Sequence, residues 1–268
     1  MRVVITRPAS DARQWATAVR AAGHEPLVIP LIDIRPISDV SSLLGAWLRL
    51  DDCDAAMFVS GNAVNGFMMA RPIAAAGQMG SPIRTRAWAT GPGTRQVLIK
   101  NGWPANLIDA PPQEAAQFDS EALWSGVSGQ VRPGGKVLVI RGETYPSSTA
   151  QSAIQASNSG RDWLVNKIIE AGATPLVFAS YWRCAPVMTS EQLNQIEVAA
   201  SSGALWLFSS SEAIANLMAL VPSQKWSGAR AVATHPRIAA RAQAAGFGRV
   251  KLARPTVKDV LASIESLP

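Results

Sequence analysis

An internal repeat is the feature that most limits the folds open to this chain of 268 residues. Three segments recur in outline further along the chain, after 149, 150 and 144 residues. The matching pairs are 22–28 with 171–177, 60–68 with 210–218, and 87–92 with 231–236. Because the three matches occur in the same order at nearly the same spacing, the sequence predicts two copies of one folding unit.

Each copy repeats one local pattern: four or five apolar residues, a small polar turn, an amphipathic stretch, and a glycine before the next apolar block. After the apolar residues 3–5, the pattern predicts a helix from about 10 to 22, capped by Ser10 or Asp11, with Trp15 and Val19 on one face. Alternation of apolar strands with helices is typical of parallel sheets covered by helices. The predicted fold class is therefore α/β, with two similar three-layer α/β domains built on parallel sheets.

Polar residues follow the predicted strands of both copies. In parallel sheets, ligands bind at the carboxyl ends of the strands, where turns present backbone N–H groups and helix N-termini. The candidate binding residues at these positions are Thr6, Arg7, Ser60, Asn62, Thr90, Thr94, Arg141, Ser209, Ser210, Ser211, Thr234 and Arg237. Each of them could instead cap a helix or stabilise a turn, and the sequence leaves that alternative open.

Charge and apolar content exclude two broad classes. The net charge is +6, but the basic residues are scattered and no three are adjacent, so nucleic-acid binding is not expected. The longest apolar runs, such as 204–208, fall far short of the roughly 18 residues that a membrane span needs. The apolar block at 3–5 is too short for a signal peptide, so we expect a cytoplasmic protein that does not contact a membrane.

Metal and nucleotide motifs are weak. His24 and His235 lie 211 residues apart, outside any metal-ligand motif, and no metal site is predicted. Cys53 and Cys184 lie 131 residues apart, which fits two reduced, buried thiols better than a disulfide. The glycines at 91–93 lack the third glycine of a dinucleotide fingerprint, so this segment is interpreted as a strand-to-helix turn.

One segment interrupts the repeat. Arg7 and Arg141 follow equivalent predicted strands at a spacing of 134, whereas the helices after them match at 149, so the second copy contains 15 more residues. They fall within 144–160, which is rich in Ser, Thr, Ala, Gln and Asn. The segment is predicted to be a surface loop or a helix extension, with a functional lid as the alternative.

The motifs, taken in order, resemble those of the uroporphyrinogen-III synthase family over the whole chain. They are Val-Val-Ile-Thr-Arg-Pro at 3–8, Gly-His-Glu-Pro-Leu at 23–27, Phe-Val-Ser-Gly-Asn-Ala-Val at 58–64, Val-Ile-Arg-Gly-Glu at 139–143, Gly-Arg-Asp-Trp-Leu at 160–164, Tyr-Trp-Arg-Cys at 181–184, Phe-Ser-Ser-Ser-Glu-Ala at 208–213 and Thr-His-Pro-Arg-Ile at 234–238. The 144–159 segment departs from the family pattern, in which Arg-Gly-Glu runs almost directly into Gly-Arg.

The resemblance implies a particular path through two domains. The first would consist of residues 1–35 and 183–268, and the second of residues 38–178. Two hinge strands, at about 31–37 and 179–185, would join them. The repeat by itself would equally allow a simple division near residue 128.

The resemblance also implies the reaction. The substrate would be hydroxymethylbilane, a linear polycarboxylate tetrapyrrole, which is cyclised with loss of water and inversion of ring D through an azafulvene and a spiro intermediate. No cofactor and no metal would be needed, and a monomer is expected. Tyr181 matches the tyrosine of the family's interdomain cleft and is the candidate catalytic acid or hydrogen-bond donor, with packing as its alternative role. Arg161 joins the candidate substrate-binding residues on the same ground.

Two other functions would use similar features. A non-enzymatic two-lobed protein that closes on an anionic small molecule would need the same strand ends and hinge. A nucleotide-sugar transferase would require a catalytic carboxylate or histidine and a nucleotide site, and neither is evident in the sequence. The family-like residues Tyr181–Cys184 and the short N-terminal apolar block favour the enzyme.

Overall fold

The computed structural model of the chain describes residues 1–72, 82–145 and 159–266, and for residues 159–161 it describes the backbone alone. The chain forms two compact units, the first made of Met1–Asp33 with Cys184–Pro268 and the second of Ile34–Arg183. Most of the 144–159 segment lies outside the described residues. The domain boundaries and the hinge drawn from the family resemblance stay predictions. None of the described helices combines the length and the apolar character that a membrane span requires.

Strands and helices alternate along most of the chain. In order they are β1 (Arg2–Ile5), α1 (Ala9–Ala21), β2 (Glu25–Val28), β3 (Asp33–Pro36), α2 (Ser41–Leu48), β4 (Ala55–Phe58), α3 (Gly61–Met69), β5 (Arg86–Ala89), α4 (Pro92–Lys100), β6 (Ile108–Asp109), α5 (Ser120–Val127), β7 (Lys136–Thr144), α6 (Ser159–Glu170), β8 (Thr174–Cys184), α7 (Ser190–Ser201), β9 (Leu205–Phe208), α8 (Ser211–Leu220), β10 (Arg230–Ala233), α9 (Pro236–Ala244), β11 (Arg249–Leu252) and α10 (Val257–Glu265).

Five strands of each sheet follow the same spatial order, and the second sheet has β3 as a sixth strand. The first unit has five parallel strands in the order β11-β10-β9-β1-β2, and the second has β6-β5-β4-β7-β8-β3 when read in the equivalent direction. The pairs from β6 through to β8 are also parallel. β1 is the first strand of its unit along the chain and β7 is a late one, yet both hold the fourth place in their sheets. The units are therefore circularly permuted copies, and the predicted α/β class with mostly parallel sheets is confirmed.

Apolar residues cover both faces of each sheet. In the second unit, Phe58 and Ile140 pack with α2, α3 and α4, whereas the alternate positions Met57 and Val139 pack with α5 and α6. In the first unit, Val3 and its neighbours on one face pack with α1 and α10. The opposite face carries an aromatic cluster made of Trp206, Phe208, Trp226 and Phe247. Burial on both faces explains why these strands are apolar throughout instead of alternating.

Equivalent glycines end equivalent helices. Gly23 follows α1 with φ 78°, and Gly172 follows α6 with φ 80°. Gly102 and Gly246 occupy the same place after α4 and α9, with φ 86° and 94°. Residues that have a side chain rarely adopt this left-handed backbone conformation, which glycine reaches at little cost. The repeated glycine therefore fixes where each helix stops and where the next strand begins.

The start of α1 differs from the prediction. The helix begins at Ala9 after Pro8, and no side chain caps it, so the capping role predicted for Ser10 or Asp11 is wrong. The Pro8 carbonyl accepts the N–H groups of Asp11 and Ala12 at 2.9 and 3.0 Å, so the helix starts directly after Pro8 and both polar residues lie in its first turn. Trp15 and Val19 are buried on the inner face, as predicted.

Both cysteines, Cys53 and Cys184, are free and buried, as the sequence predicted. Burial raises the pKa of the Cys53 thiol. Of the tryptophans, Trp88, Trp103 and Trp206 are fully buried core residues, whereas Trp182 is half-buried and meets Tyr145 edge to face.

Candidate functional site

The carboxyl ends of β8, β7, β4 and β5 form one edge of the second unit, because these strands are parallel neighbours. Ser60 follows β4 and caps α3, where its Oγ accepts a hydrogen bond from the Ala63 N–H at 3.1 Å. The same Oγ lies 3.1 Å from the Tyr181 hydroxyl, which β8 supplies. Two of the predicted site residues, Ser60 and Tyr181, are thus brought into direct contact.

A β-bulge in β8 orients the Tyr181 side chain towards Ser60. The register between β7 and β8 shifts where Arg141 pairs with Ala179 but Gly142 pairs with Tyr181, so Ser180 has no partner on β7. An extra residue of this kind reverses the alternation of side chains after it. Ser180 and Tyr181 consequently both face α3, where the Ser180 hydroxyl donates to the Ala63 carbonyl at 3.2 Å.

Two glycines make room for this arrangement. A Cβ at Gly66 of α3 would lie 2.2 Å from the Ser180 carbonyl oxygen, so only glycine allows the helix to approach the bulge this closely. A Cβ at Gly142 would lie 2.2 to 2.7 Å from three atoms of the Tyr181 ring. The ring therefore rests directly on the β7 backbone, and only 7% of Tyr181 is exposed.

The hydroxyl pair has a defined hydrogen-bonding capacity. The Ser60 Oγ already accepts the Ala63 N–H, which leaves it one proton to donate and one remaining lone pair. When Ser60 donates to Tyr181, the phenol O–H is free to donate to a third group, and either direction is compatible with the 3.1 Å distance. The pair can thus supply a weakly acidic donor at a fixed position.

Arg141 lies within β7, which continues to Thr144, so the prediction that it follows the strand is wrong. It already has anionic partners. Its guanidinium is 3.6 Å from Glu143 and 3.3 Å from Asp162, and its side chain is 24% exposed. The neighbouring Arg183, which the sequence did not single out, is buried and donates to the Gly142 carbonyl at 2.8 Å and to the Thr144 hydroxyl at 3.0 Å. Arg183 therefore ties β8 to the end of β7.

The other candidates of the second unit occupy helix starts. Asn62 is half-buried at the second residue of α3, and Thr94 is buried at the third residue of α4. Thr90 donates to the Val59 carbonyl at 3.2 Å, so it stabilises the turn. The side chain of Arg161 lies outside the described residues. Gly91 precedes α4 as its N-cap, in agreement with the strand-to-helix turn predicted there.

The first unit has an equivalent edge at the ends of β1, β9 and β10. Thr6 is buried and donates to the Leu207 carbonyl at 2.6 Å. Ser210 caps α8 by accepting the Glu212 N–H at 3.1 Å, and Ser211 is the first residue of that helix. His235 caps α9 in the same way, with its Nδ1 accepting the Arg237 N–H at 3.1 Å.

Arg7, Ser209 and Thr234 line a small cavity at this edge, together with Trp15, Leu207 and Val260. The Arg7 guanidinium carbon lies 4.3 Å from the centre of the Trp15 ring. Burial lowers the pKa of Arg7 to about 10, an effect that the charge of Asp11 opposes only in part. Among the described residues, no group of three or more His, Cys, Asp or Glu side chains could hold a metal ion.

Sequence reasoning found the strand ends but missed the residues that shape them. Ser180, Gly66 and Gly142 were not singled out, because a bulge and a close approach of two backbones depend on tertiary packing. The sequence does contain one indication of the role of Gly142. A glycine directly follows Arg141 after an apolar run, and a glycine within a strand often marks a bulge or a close contact with the backbone.

The chain is a repeated α/β protein made of two permuted copies of one parallel unit. Each copy presents hydroxyls, helix N-termini and an arginine at the carboxyl edge of its sheet, and such groups suit anionic ligands. Residues 13–262 match the family model described as uroporphyrinogen-III synthase HemD. The chain belongs to this family.

Individual relatives agree with the family. A uroporphyrinogen-III synthase from Synechococcus elongatus is 28% identical over 157 residues. That alignment covers 59% of this chain and 56% of the relative, so the chain spans a little over half the length of the curated relative that it matches.

Two crystal structures show the same fold at 15% identity. A mutant uroporphyrinogen III synthase from the extremely thermophilic bacterium Thermus thermophilus has a TM-score of 0.54, with 99% of this chain and 97% of that chain covered. Uroporphyrinogen-III synthetase from Helicobacter pylori has a TM-score of 0.55, with both chains covered completely.

Proposed function

We propose that the chain is a uroporphyrinogen-III synthase, a lyase that cyclises hydroxymethylbilane to uroporphyrinogen III. Family membership over residues 13–262 supports the activity. The observation that carries the proposal for this chain is the 3.1 Å contact between the Tyr181 and Ser60 hydroxyls at the carboxyl edge of a parallel sheet. This contact supplies the mild donor that departure of the substrate hydroxyl requires.

The chemistry begins at the hydroxymethyl group. The C–O bond breaks as the electron pair of the pyrrole nitrogen moves to form an azafulvene, and the departing hydroxide takes a proton and leaves as water. The substituted carbon of ring D then attacks to give a spiro intermediate, which opens and recloses with ring D inverted. One water is lost and no electrons are transferred, so the reaction as proposed needs neither a metal nor an organic cofactor.

Tyr181 is proposed to donate a hydrogen bond or a proton to the departing hydroxyl. A general acid or single positioned donor contributes about 10- to 1000-fold to a rate. The lower half of that range is expected, because the electron pair of the pyrrole nitrogen does most of the work of expelling the hydroxyl. The larger part of catalysis is then positioning, which makes the inverted closure faster than the simpler closure to the type I isomer.

The substrate carboxylates are proposed to meet the polar groups at the strand ends. The proposed contacts are Arg7, Ser60, Asn62, Thr94, Arg141, Arg161, Ser209, Ser210, Ser211 and Thr234. Hydroxyls and helix N-termini suit a flexible polyanion, because they bind carboxylates without one cation for each. We further propose that the enzyme works as a cytoplasmic monomer.

The test is to incubate the purified chain with fresh hydroxymethylbilane and a chelator, without any added cofactor. The expected product is the type III isomer, formed faster than in a reaction without protein. A non-enzymatic binder would consume no substrate beyond the spontaneous rate and would leave the type I isomer. Loss of activity on adding the chelator would instead contradict the metal-free mechanism.

A further inference from the structure

Arg7 and Arg141 occupy equivalent places in the two copies. Val3 of β1 pairs with Leu205, and Val137 of β7 pairs with Ala55. Since the strands β9 and β4 that contain these partners are themselves equivalent at a spacing of 150, the register relates β1 to β7 at a spacing of 134. Arg7 therefore lies two residues beyond the end of β1, and Arg141 occupies the equivalent position in β7, which continues to Thr144.

The two arginines differ in what surrounds them. Arg141 lies within 4 Å of two carboxylates, those of Glu143 and Asp162, so its charge is already balanced. Arg7 has no carboxylate within 4 Å among the described residues, although the charge of Asp11 partly opposes the fall of its pKa. Its guanidinium lies against the Trp15 ring, and its pKa falls because burial removes water that the charge would otherwise attract. A desolvated cation without a close counter-ion is costly, and a bound anion would relieve that cost.

Two hydroxyls face the same cavity without partners. Thr234 is 9% exposed, and its side chain has no hydrogen-bond partner in the part of the chain that the structure describes. The same holds for the half-buried Ser209. Both lie beside Arg7, and the remaining lining is apolar. Neither hydroxyl oxygen is fully buried, so both can donate to an anion that enters the cavity and also meets the Arg7 guanidinium.

We propose that Arg7, Ser209 and Thr234 bind one carboxylate of an acetate or propionate arm of the substrate. This assignment rests on the proposed function, because it identifies the ligand as an arm of the tetrapyrrole. The cavity is too small for a pyrrole ring, so only the end of a carboxylate arm could enter it. Arg7 thus supplies the positive charge available to the ligand, whereas the charge of Arg141 is balanced by the carboxylates of Glu143 and Asp162.

The first experiment tests the anion pocket without any turnover. The unfolding temperature of the full chain is measured in sodium chloride and in sodium propionate at equal ionic strength. A ligand that binds only the folded state raises this temperature, and a weak site at a few times its Kd predicts a rise of about 2 °C. Arg7→Met keeps the apolar stem against Trp15 and should lose the propionate-specific rise.

Arg20→Met is the matched control, because it removes the same charge from an exposed position on α1. It should respond to propionate as the wild-type chain does. Thr234→Val and Ser209→Ala keep Arg7 and should each reduce the response, so the pocket remains testable even if Arg7→Met lowers stability. An unchanged propionate response in all three pocket variants would overturn the pocket.

The second experiment assigns the anion to the substrate. With hydroxymethylbilane, loss of a charged hydrogen bond predicts that Arg7→Met raises KM by about 10- to 100-fold, with kcat within about threefold of wild type. An unchanged KM together with a lost propionate response would overturn the assignment to a substrate arm. If the wild-type chain does not cyclise hydroxymethylbilane while Arg7 still governs the propionate response, the proposed function fails and the anion pocket stands, so the two failures are distinguishable.

Discussion

Replacing Tyr181 by Phe isolates one hydroxyl in a packed environment. The ring keeps its place against Gly142, and the change removes only the 3.1 Å contact with Ser60. A neutral hydrogen bond contributes about 0.5–1.5 kcal/mol to stability. Because the Ser60 Oγ retains the Ala63 N–H as a partner, the lower part of this range applies. The expected loss is therefore about 0.5–1 kcal/mol, or a fall of about 1–4 °C in the unfolding temperature.

Activity should fall much further than stability. If Tyr181 donates to the departing hydroxyl, turnover drops by about 10- to 30-fold, which corresponds to roughly 1.4–2 kcal/mol of barrier. Tyr181→Ala removes the ring as well and should cost about 3–5 kcal/mol of stability, as other large-to-small core substitutions do. The two variants therefore separate the hydroxyl from the packing of the ring.

The assay measures initial rates, the ratio of type III to type I product, and the unfolding temperature on the same preparations. Ser60→Ala is the partner variant, and it should lose the helix cap, at about 1 kcal/mol, together with part of the activity. Full turnover and type III fidelity in Tyr181→Phe, with unfolding of Tyr181→Ala, would refute the catalytic role and leave Tyr181 as a packing residue. If Tyr181→Phe consumes hydroxymethylbilane at the normal rate but forms some type I isomer, Tyr181 positions ring D instead.

Three further outcomes are expected from the structure. Gly66→Ala should lower the free energy of unfolding by about 1–3 kcal/mol and reduce activity, because the new Cβ would lie 2.2 Å from the Ser180 carbonyl oxygen. Denaturant unfolding measures this loss, and a variant as stable as the wild type would contradict the close approach. His235→Ala should cost about 1 kcal/mol in the same assay through loss of the α9 cap, whereas no change would show that the Arg237 N–H does not depend on it. Cys53, whose pKa is raised by burial, should react with iodoacetamide far more slowly in the folded chain than in denaturant; equal rates, followed by mass spectrometry, would contradict its burial.

Much of the fold could be predicted because its causes are local and repeated. Apolar strands such as 3–5, small polar turns and glycines such as Gly23 recur in each copy, and each is set by backbone conformation or by burial. The same logic found the strand ends, and with them Ser60 and Arg7, because parallel strands bring their carboxyl ends to one edge.

The parts that could not be predicted depend on tertiary contacts. The bulge at Ser180 leaves no composition signal, yet it decides that Tyr181 faces α3. The repeat treats Arg7 and Arg141 alike, but the carboxylates that neutralise Arg141 come from neighbouring positions that the repeat does not constrain. The capping residues of α1 were predicted wrongly because Pro8 starts the helix before them.

The proposed activity is tested most directly by the isomer composition of the product as the concentration of the chain rises. Fresh hydroxymethylbilane is closed at a series of chain concentrations, and the macrocycles are oxidised and separated into type I and type III. If the chain is a uroporphyrinogen-III synthase, type III progressively replaces the spontaneous type I product and approaches completion once enzymatic closure is faster than the spontaneous reaction. A product that stays type I at every concentration, formed at the rate without protein, would contradict the proposed activity.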